Sequence, residues 1–269
     1  MQRKLKKQLH QNWEQKPLHG KSAQRCKKAD VDHESTFAWL NSSGLKGETE
    51  GFILAAQDQS LKTKNYIANI MKAGGNASCR YCHSYQETID HLCSGCPILA
   101  RTEYLTRHNK VAQHVHWKIC KHYGLESSDK WYEHQTPPVV ENDKAVVLWD
   151  FSIHTDRTIK ANRPDIVIRD KMKKTCWLLD VSIPTDTNTS VKTFEKLAKY
   201  KDLEIELTKS WGVTIKTVPV IIGALGIINK STQKYLQMIP GDVTFYELQK
   251  TTLLGTSNIL RKALSLNAL

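Results

Sequence analysis

Residues 162–200 read NRPDIVIRDKMKKTCWLLDVSIPTDTNTSVKTFEKLAKY, two short apolar runs separated by a lysine-rich turn. Pro164-Asp165 opens the first run, Ile166-Val167-Ile168. After Lys171, Lys173 and Lys174, the second run, Cys176-Trp177-Leu178-Leu179, delivers Asp180. Short β-branched and aromatic runs on either side of a polar turn predict a β-hairpin. Such a hairpin brings Asp165, entering one strand, near Asp180, leaving the other. Two carboxylates at neighbouring strand ends form a site for a hard divalent cation such as Mg²⁺ or Mn²⁺, which take oxygen ligands. Beyond Pro184 the pattern predicts a helix from an N-cap at Ser190 to about Trp211, stopped by Gly212. Lys196, Tyr200, Leu203, Leu207 and Trp211 share one face of it, with Lys199 beside them. A lysine aimed inward at carboxylates is costly unless it is paired or catalytic. The plain alternative is a stem that snorkels, its ammonium in water.

Around this unit, Val146–Phe151 reads as a preceding strand and Thr214–Ile222 as a following one. Asp150 and Asp156 stand close by in order as further acids. Two helices are expected to close the chain, over 231–238 and 243–262, with Gly255 as a candidate break in the second. A strand–strand–strand–helix–strand order gives a mixed α/β core. Residues 98–135 are expected to be mostly helical, with Tyr104, Leu105, His108, Val111, Ala112, Val115 and Ile119 on one face. His108, His114 and His116 raise the question of a metal site there, but histidines on an amphipathic helix are more often core or surface residues.

Upstream lies a second motif, Cys79-x₂-Cys82-x₈-His91-x₄-Cys96. Thiolates and imidazole are the preferred ligands of Zn²⁺, and four of them close a structural tetrahedral site. Cys93 is an alternative to Cys96 and His83 to His91, and buried free thiols are the non-metal alternative.

The 269 residues carry 39 Lys and Arg against 27 Asp and Glu, a formal net charge of +12, with a pI near 9.3. That balance favours a polyanionic partner, nucleic acid before membrane. No apolar run approaches a membrane span, and the basic N-terminus has no apolar signal core. Seven cysteines, an odd number, suit metal binding or free thiols better than disulfides. Residues 1–35, basic and poor in large apolar side chains, are expected to be a disordered tail.

The paired acids, hairpin and lysine-bearing helix resemble the PD-(D/E)xK nucleases. RPDIVI, LLDVSIP, EKLAKYKDLEIEL and VPVIIGALG resemble the restriction-like endonuclease region of site-specific non-LTR retrotransposon polyproteins. The Cys-Cys-His-Cys order resembles the zinc knuckle that precedes that region. WLNSSGLKGETEGFILAAQDQSLKTKNYI resembles the segment after the polymerase thumb, and RTEYLTRHNKVA also resembles family sequence. One departure stands at Ser182, where an E-x-K motif carries its lysine; in this branch the resemblance implies a lysine from the helix, Lys196 or Lys199.

The resemblance implies a helical linker over 36–78, the knuckle over 79–97, a bridging helical segment over 98–136, a restriction-like core over 145–225 and C-terminal helices over 226–269. It implies a nuclear DNA endonuclease that nicks target DNA for target-primed reverse transcription, with structural zinc on Cys79, Cys82, His91 and Cys96. Catalytic Mg²⁺ or Mn²⁺ would sit on Asp165 and Asp180, assisted by Lys196 or Lys199 and by Tyr200. Arg101, Arg107 and Arg163 are expected at nucleic acid, the target DNA first and element RNA as a second candidate partner. No reverse transcriptase activity is expected of these residues. The competing expectation is a catalytically inactive, domesticated or decayed nucleic-acid-binding zinc-knuckle protein.

Overall fold

In the computed structural model, which describes residues 2–265 with side chains from Leu5 onward, five strands form one mixed sheet. They are β1 (Val139–Glu141), β2 (Ala145–Trp149), β3 (Ile166–Asp170), β4 (Thr175–Ser182) and β5 (Thr214–Ile221), ordered β1-β2-β3-β4-β5. The first four pair antiparallel in succession and β5 runs parallel to β4. The sheet therefore starts one strand earlier than its apolar runs suggest. β1 follows Pro137-Pro138, lies at the edge and has only three residues, too short to leave a period in the sequence.

Side chains alternate across the sheet, as the pleat requires. Ile166, Ile168, Trp177, Leu179, Val181, Val218 and Val220 form one core face, while Val167, Cys176, Leu178 and Ile215 belong to the other. The first face is covered by a long helix, Leu105–Tyr123, whose Val111, Val115 and Ile119 are fully buried. The second is covered by Tyr200, Leu203 and Leu207. A sheet packed on both faces accounts for the near-continuous apolar runs of β3 and β4.

In chain order the helices are α1 (Gln2–Glu14), α2 (Lys21–Cys26), α3 (His33–Phe37), α4 (Trp39–Ser42), α5 (Gly47–Gln57), α6 (Pro97–Leu99), α7 (Leu105–Tyr123), α8 (Thr189–Lys199), α9 (Lys201–Trp211), α10 (Lys230–Leu236) and α11 (Phe245–Ser265). The single helix expected over 190–211 is two. Tyr200 sits between them at φ −99° and ψ 5°, outside helical geometry. Its hydroxyl points inward and donates to Asp180 at 2.5 Å. The start also moves: Thr189, not a capping Ser190, opens α8, and Ser190 instead donates its hydroxyl to Asp30. Gly212 ends α9 at φ 60°, a left-handed stop that glycine adopts without a Cβ clash. α11 is continuous through Gly255. No helix among the described residues is long and apolar enough to cross a membrane.

The expectation of a disordered basic tail over 1–35 is corrected. α1 and α2 are helical, and Asp32 donates its backbone N–H to Ile228 O at 2.9 Å beside a Val31–Asn229 bridge. The anchor is Arg25, only 8% exposed. Its guanidinium reaches Asp30 at 2.9 and 2.8 Å, the Asp186 carbonyl at 2.8 Å, Thr189 Oγ1 at 2.9 Å and Asn229 Oδ1 at 3.2 Å. One planar cation with five donors gathers three distant segments, which is how a segment poor in large apolar residues becomes ordered. Hydrogen bonding to Arg25 holds the Asp30 carboxyl down at about 2. Arg25→Met keeps a stem of similar length but strands these acceptors. We expect a loss of roughly 2–3 kcal/mol, the range for a lost hydrogen-bonding charge, and faster proteolysis within 15–38. Wild-type resistance at those bonds would remove Arg25 as the anchor.

Candidate functional site

Register and parity assemble the acidic site. β3 and β4 pair Ile166 with Leu179, so one step further sets Asp165 opposite Asp180 at the same end of the sheet. Asp180 shares its face with Leu178 and Cys176 and so points toward α8 and α9. Its carboxylate is 3% exposed and meets three donors. Lys196 Nζ stands 2.5 Å from Oδ1, Lys199 Nζ is 3.0 Å from Oδ2, and the Tyr200 hydroxyl donates to Oδ2 at 2.5 Å. Burial opposes ionisation of Asp180, but Lys196 first, then Tyr200 and Lys199, outweigh it and hold the carboxyl below its ordinary range. Burial, reinforced by Asp180, pushes the Tyr200 phenol far above its ordinary value, so it remains a donor. Lys199 also donates to the Tyr200 oxygen at 2.6 Å, and the Tyr200 hydroxyl lies 3.1 Å from the Arg163 carbonyl.

Asp165 is 22% exposed. Its Oδ2 accepts the Val181 N–H at 2.6 Å and lies 3.1 Å from His108 Nε2. Burial disfavours charge on His108, but the Asp165 carboxylate more than compensates and raises the imidazole to about 9. It is therefore an imidazolium at neutral pH, and Nε2–H is also 3.2 Å from the Val181 carbonyl. His108 was not anticipated as part of this site. The available signal was its place on the inward, apolar face of α7, where a polar residue needs a partner. Two other histidines of α7 go elsewhere: His114 stacks on Trp131 at 4.8 Å and His116 on His134 at 5.0 Å.

The three arginines part company. Arg101 is exposed. Arg163 is 57% exposed, and its guanidinium holds Asp150 in a two-pronged contact at 2.8 Å on each side. Asp150, at φ 45°, thus joins the rim of the site. Arg107 does not belong on a phosphate-binding surface and that expectation is corrected: it is 2% exposed. It donates to Thr256 Oγ1 at 2.7 Å and lies over the backbone of Gly255, where a Cβ would stand 2.6 Å from Arg107 Cγ. Gly255 therefore keeps α11 intact and gives Arg107 its channel.

A second cluster comes from the knuckle. Cys79, Cys82, His91 and Cys96 converge, with Cys79 and Cys96 sulfurs 3.9 Å apart and Cys82 Sγ 3.4 Å from His91 Nε2. Ligands at about 2.3 Å (S) and 2.0 Å (N) from a tetrahedral Zn²⁺ lie about 3.5–3.8 Å from each other, so the donor set fits a zinc ion. The alternatives fall away on position: Cys96, not Cys93, converges with Cys79, Cys82 and His91, while His83 is exposed. The loop is held by a buried ion pair, Arg80 to Glu87 at 2.6 Å, with Glu87 also accepting the Lys64 N–H. Tyr104 ties the second half: its hydroxyl lies 2.8 Å from both the His91 and Leu92 carbonyls and accepts the Cys96 N–H at 3.1 Å.

No family model matches the chain, and no curated protein does.

Tyr104→Phe removes the one hydroxyl that bridges the His91 and Cys96 ends of the cluster. Supports behind metal ligands typically matter by 10–100-fold in affinity. We expect zinc held by the knuckle to be lost to a chelator at a concentration at least about tenfold lower, with Cys79→Ser abolishing retention there. Equal retention in Tyr104→Phe and wild type would show that the hydroxyl does not support the ligands.

Proposed function

We propose that this chain is a metal-dependent DNA endonuclease with a PD-(D/E)xK-like core, corresponding to the knuckle-plus-nuclease region of a non-LTR retrotransposon polyprotein and acting on nuclear DNA. The observation that carries the proposal is the pair Asp165 and Asp180 at adjacent strand ends, faced by two ammonium groups from one turn of α8. Hard oxygen donors of this kind suit Mg²⁺ or Mn²⁺, which in such a site would polarise a phosphate and acidify its bound water. Asp165 and Asp180 would hold the ion. Lys196, the more enclosed lysine at 20% exposure against 41% for Lys199, lies where charge develops on the phosphate and stabilises it. Lys199 at the rim draws the DNA backbone in, with Arg163 and Arg101. Tyr200 aims Asp180 and Lys199 through its single hydroxyl. Ser182, where the general motif carries lysine, leaves that duty to α8.

Asp180→Asn preserves shape and removes the charge. We expect nicking of supercoiled plasmid in Mg²⁺ or Mn²⁺ to fall at least a hundredfold, ~3 kcal/mol of transition-state stabilisation, with binding retained. Parental nicking by a folded Asp180→Asn variant would exclude Asp180 as a metal ligand.

The two lysines separate by kinetics. In single-turnover cleavage at saturating DNA, Lys196→Met should lose the chemical step, whereas Lys199→Met should recover near-parental rates because saturation masks a binding defect. The reverse ranking would transfer the role to Lys199.

One observation favours the second reading, a nucleic-acid binder that does not cut: both Asp180 oxygens are already engaged by ammonium groups. Failure of the wild-type chain to open plasmid in either metal, with salt-dependent DNA binding intact, would select it.

A further inference from the structure

Behind the sheet, at the opposite end of α7 from His108, lies a group that neither the knuckle nor the acidic site uses. His116 and Cys120 are one turn apart on α7 and therefore share a face; both are fully buried. His134 arrives from the irregular segment 126–137, whose only regular element is the turn Trp131–Glu133, and is 3% exposed. His134 Nε2 lies 2.7 Å from His116 Nδ1, and Cys120 Sγ lies 3.6 Å from the same nitrogen. One ligand atom from each residue falls within 4.8 Å of the others.

We propose that His116, Cys120 and His134 form a second metal site for Zn²⁺, or an ion of like preference, that staples segment 126–137 to α7. Two imidazoles and a thiolate are the ligands zinc prefers. His134 also lines a cleft of about 670 Å³ together with Glu126 and Gln135. The cleft provides an entry path and leaves the fourth position to water. The other ties of the segment to α7 are Trp117 Nε1 to Ser128 O at 2.8 Å, Gln113 to His134 O at 2.5 Å, the Lys121–Asp129 ion pair at 3.9 Å and the His114–Trp131 stack.

The geometry also ranks the two sites. A tetrahedral ion at about 2.0–2.1 Å from two nitrogens holds them about 3.4 Å apart, whereas His116 and His134 stand at hydrogen-bonding distance, 2.7 Å. Loading therefore moves His134 outward by about 0.7 Å, a shift its loop permits and the knuckle, already at 3.4 and 3.9 Å, does not require. The knuckle fills first and the second site fills more weakly. The rival is a simple core hydrogen bond between two neutral imidazoles, which binds no ion. This site is separate from the acidic cluster, and the proposal does not rest on the nuclease reading.

The test is a titration of the reduced, metal-stripped full chain with Co²⁺ and, separately, Zn²⁺. We expect two equivalents. The first should bring the intense thiolate charge-transfer absorption of a three-cysteine site, and the second a smaller increment from one cysteine, together with slower proteolysis of 126–137. Cys120→Ala and His134→Gln should each abolish the second equivalent and leave the first. A wild-type chain that saturates at one equivalent overturns the proposal whether or not the variants fold. A second equivalent that persists in both folded variants overturns it as well.

Discussion

A carboxylate 3% exposed at the end of a central strand is the constraint on which the rest of this structure turns. An isolated buried charge would cost several kcal/mol in lost hydration, and it persists only where charged partners and hydrogen bonds replace the water. Asp180 has all three of its partners on one short segment, Lys196, Lys199 and Tyr200. That segment therefore lies across the strand end, with the three side chains on one face at i, i+3 and i+4. Beyond the break at Tyr200, Leu203 and Leu207 cover Val167, Cys176 and Leu178. The polar contact and the apolar face thus close over the same side of the sheet.

The same device recurs at two further points. Arg25 gathers Asp30, Thr189, Asn229 and the Asp186 carbonyl, tying the N-terminal helices to the start of α8. Arg107 threads between α7 and α11 over Gly255, locking the helix that carries His108 to the helix behind the knuckle. In each case one buried guanidinium joins segments more than a hundred residues apart. A basic chain uses part of its charge internally. Its net charge therefore overstates how many cations face solvent, and Arg107 is the plain instance.

What was legible in the sequence was periodic or locally spaced. The hairpin, Asp165 opposite Asp180, the inward aim of Lys196 and the end of the helix at Gly212 all follow from periods of two and 3.6 and from one glycine. The convergence of Cys79, Cys82, His91 and Cys96 follows from ligand spacing, and only the fold separates them from Cys93 and the exposed His83. What escaped depended on long-range partners. β1 has no period of its own because its three residues are defined by pairing with β2. The order of residues 20–37 depends on contacts of Arg25 with residues beyond 185. Arg107 reads as a nucleic-acid contact because its acceptor, Thr256, lies at the far end of the chain. His108 lay on the right face, but nothing local to α7 points to Asp165.

The spacing of the two lysines bears on how such a site can serve both binding and chemistry. Lys196 and Lys199 are three residues apart and take one oxygen of Asp180 each. Around them stand Asp165 with His108 and Asp150 with Arg163. Three carboxylates against two lysines, an arginine and an imidazolium leave one positive charge, which matches a single phosphodiester. On the proposed nuclease reading, an ion arriving at Asp180 would compete with two ammonium groups for the same oxygens. An incoming phosphate would ease that competition, since it offers the displaced ammonium groups a new anion within reach. Divalent ion and DNA would therefore bind with mutual reinforcement, because each supplies the partner that the other takes away.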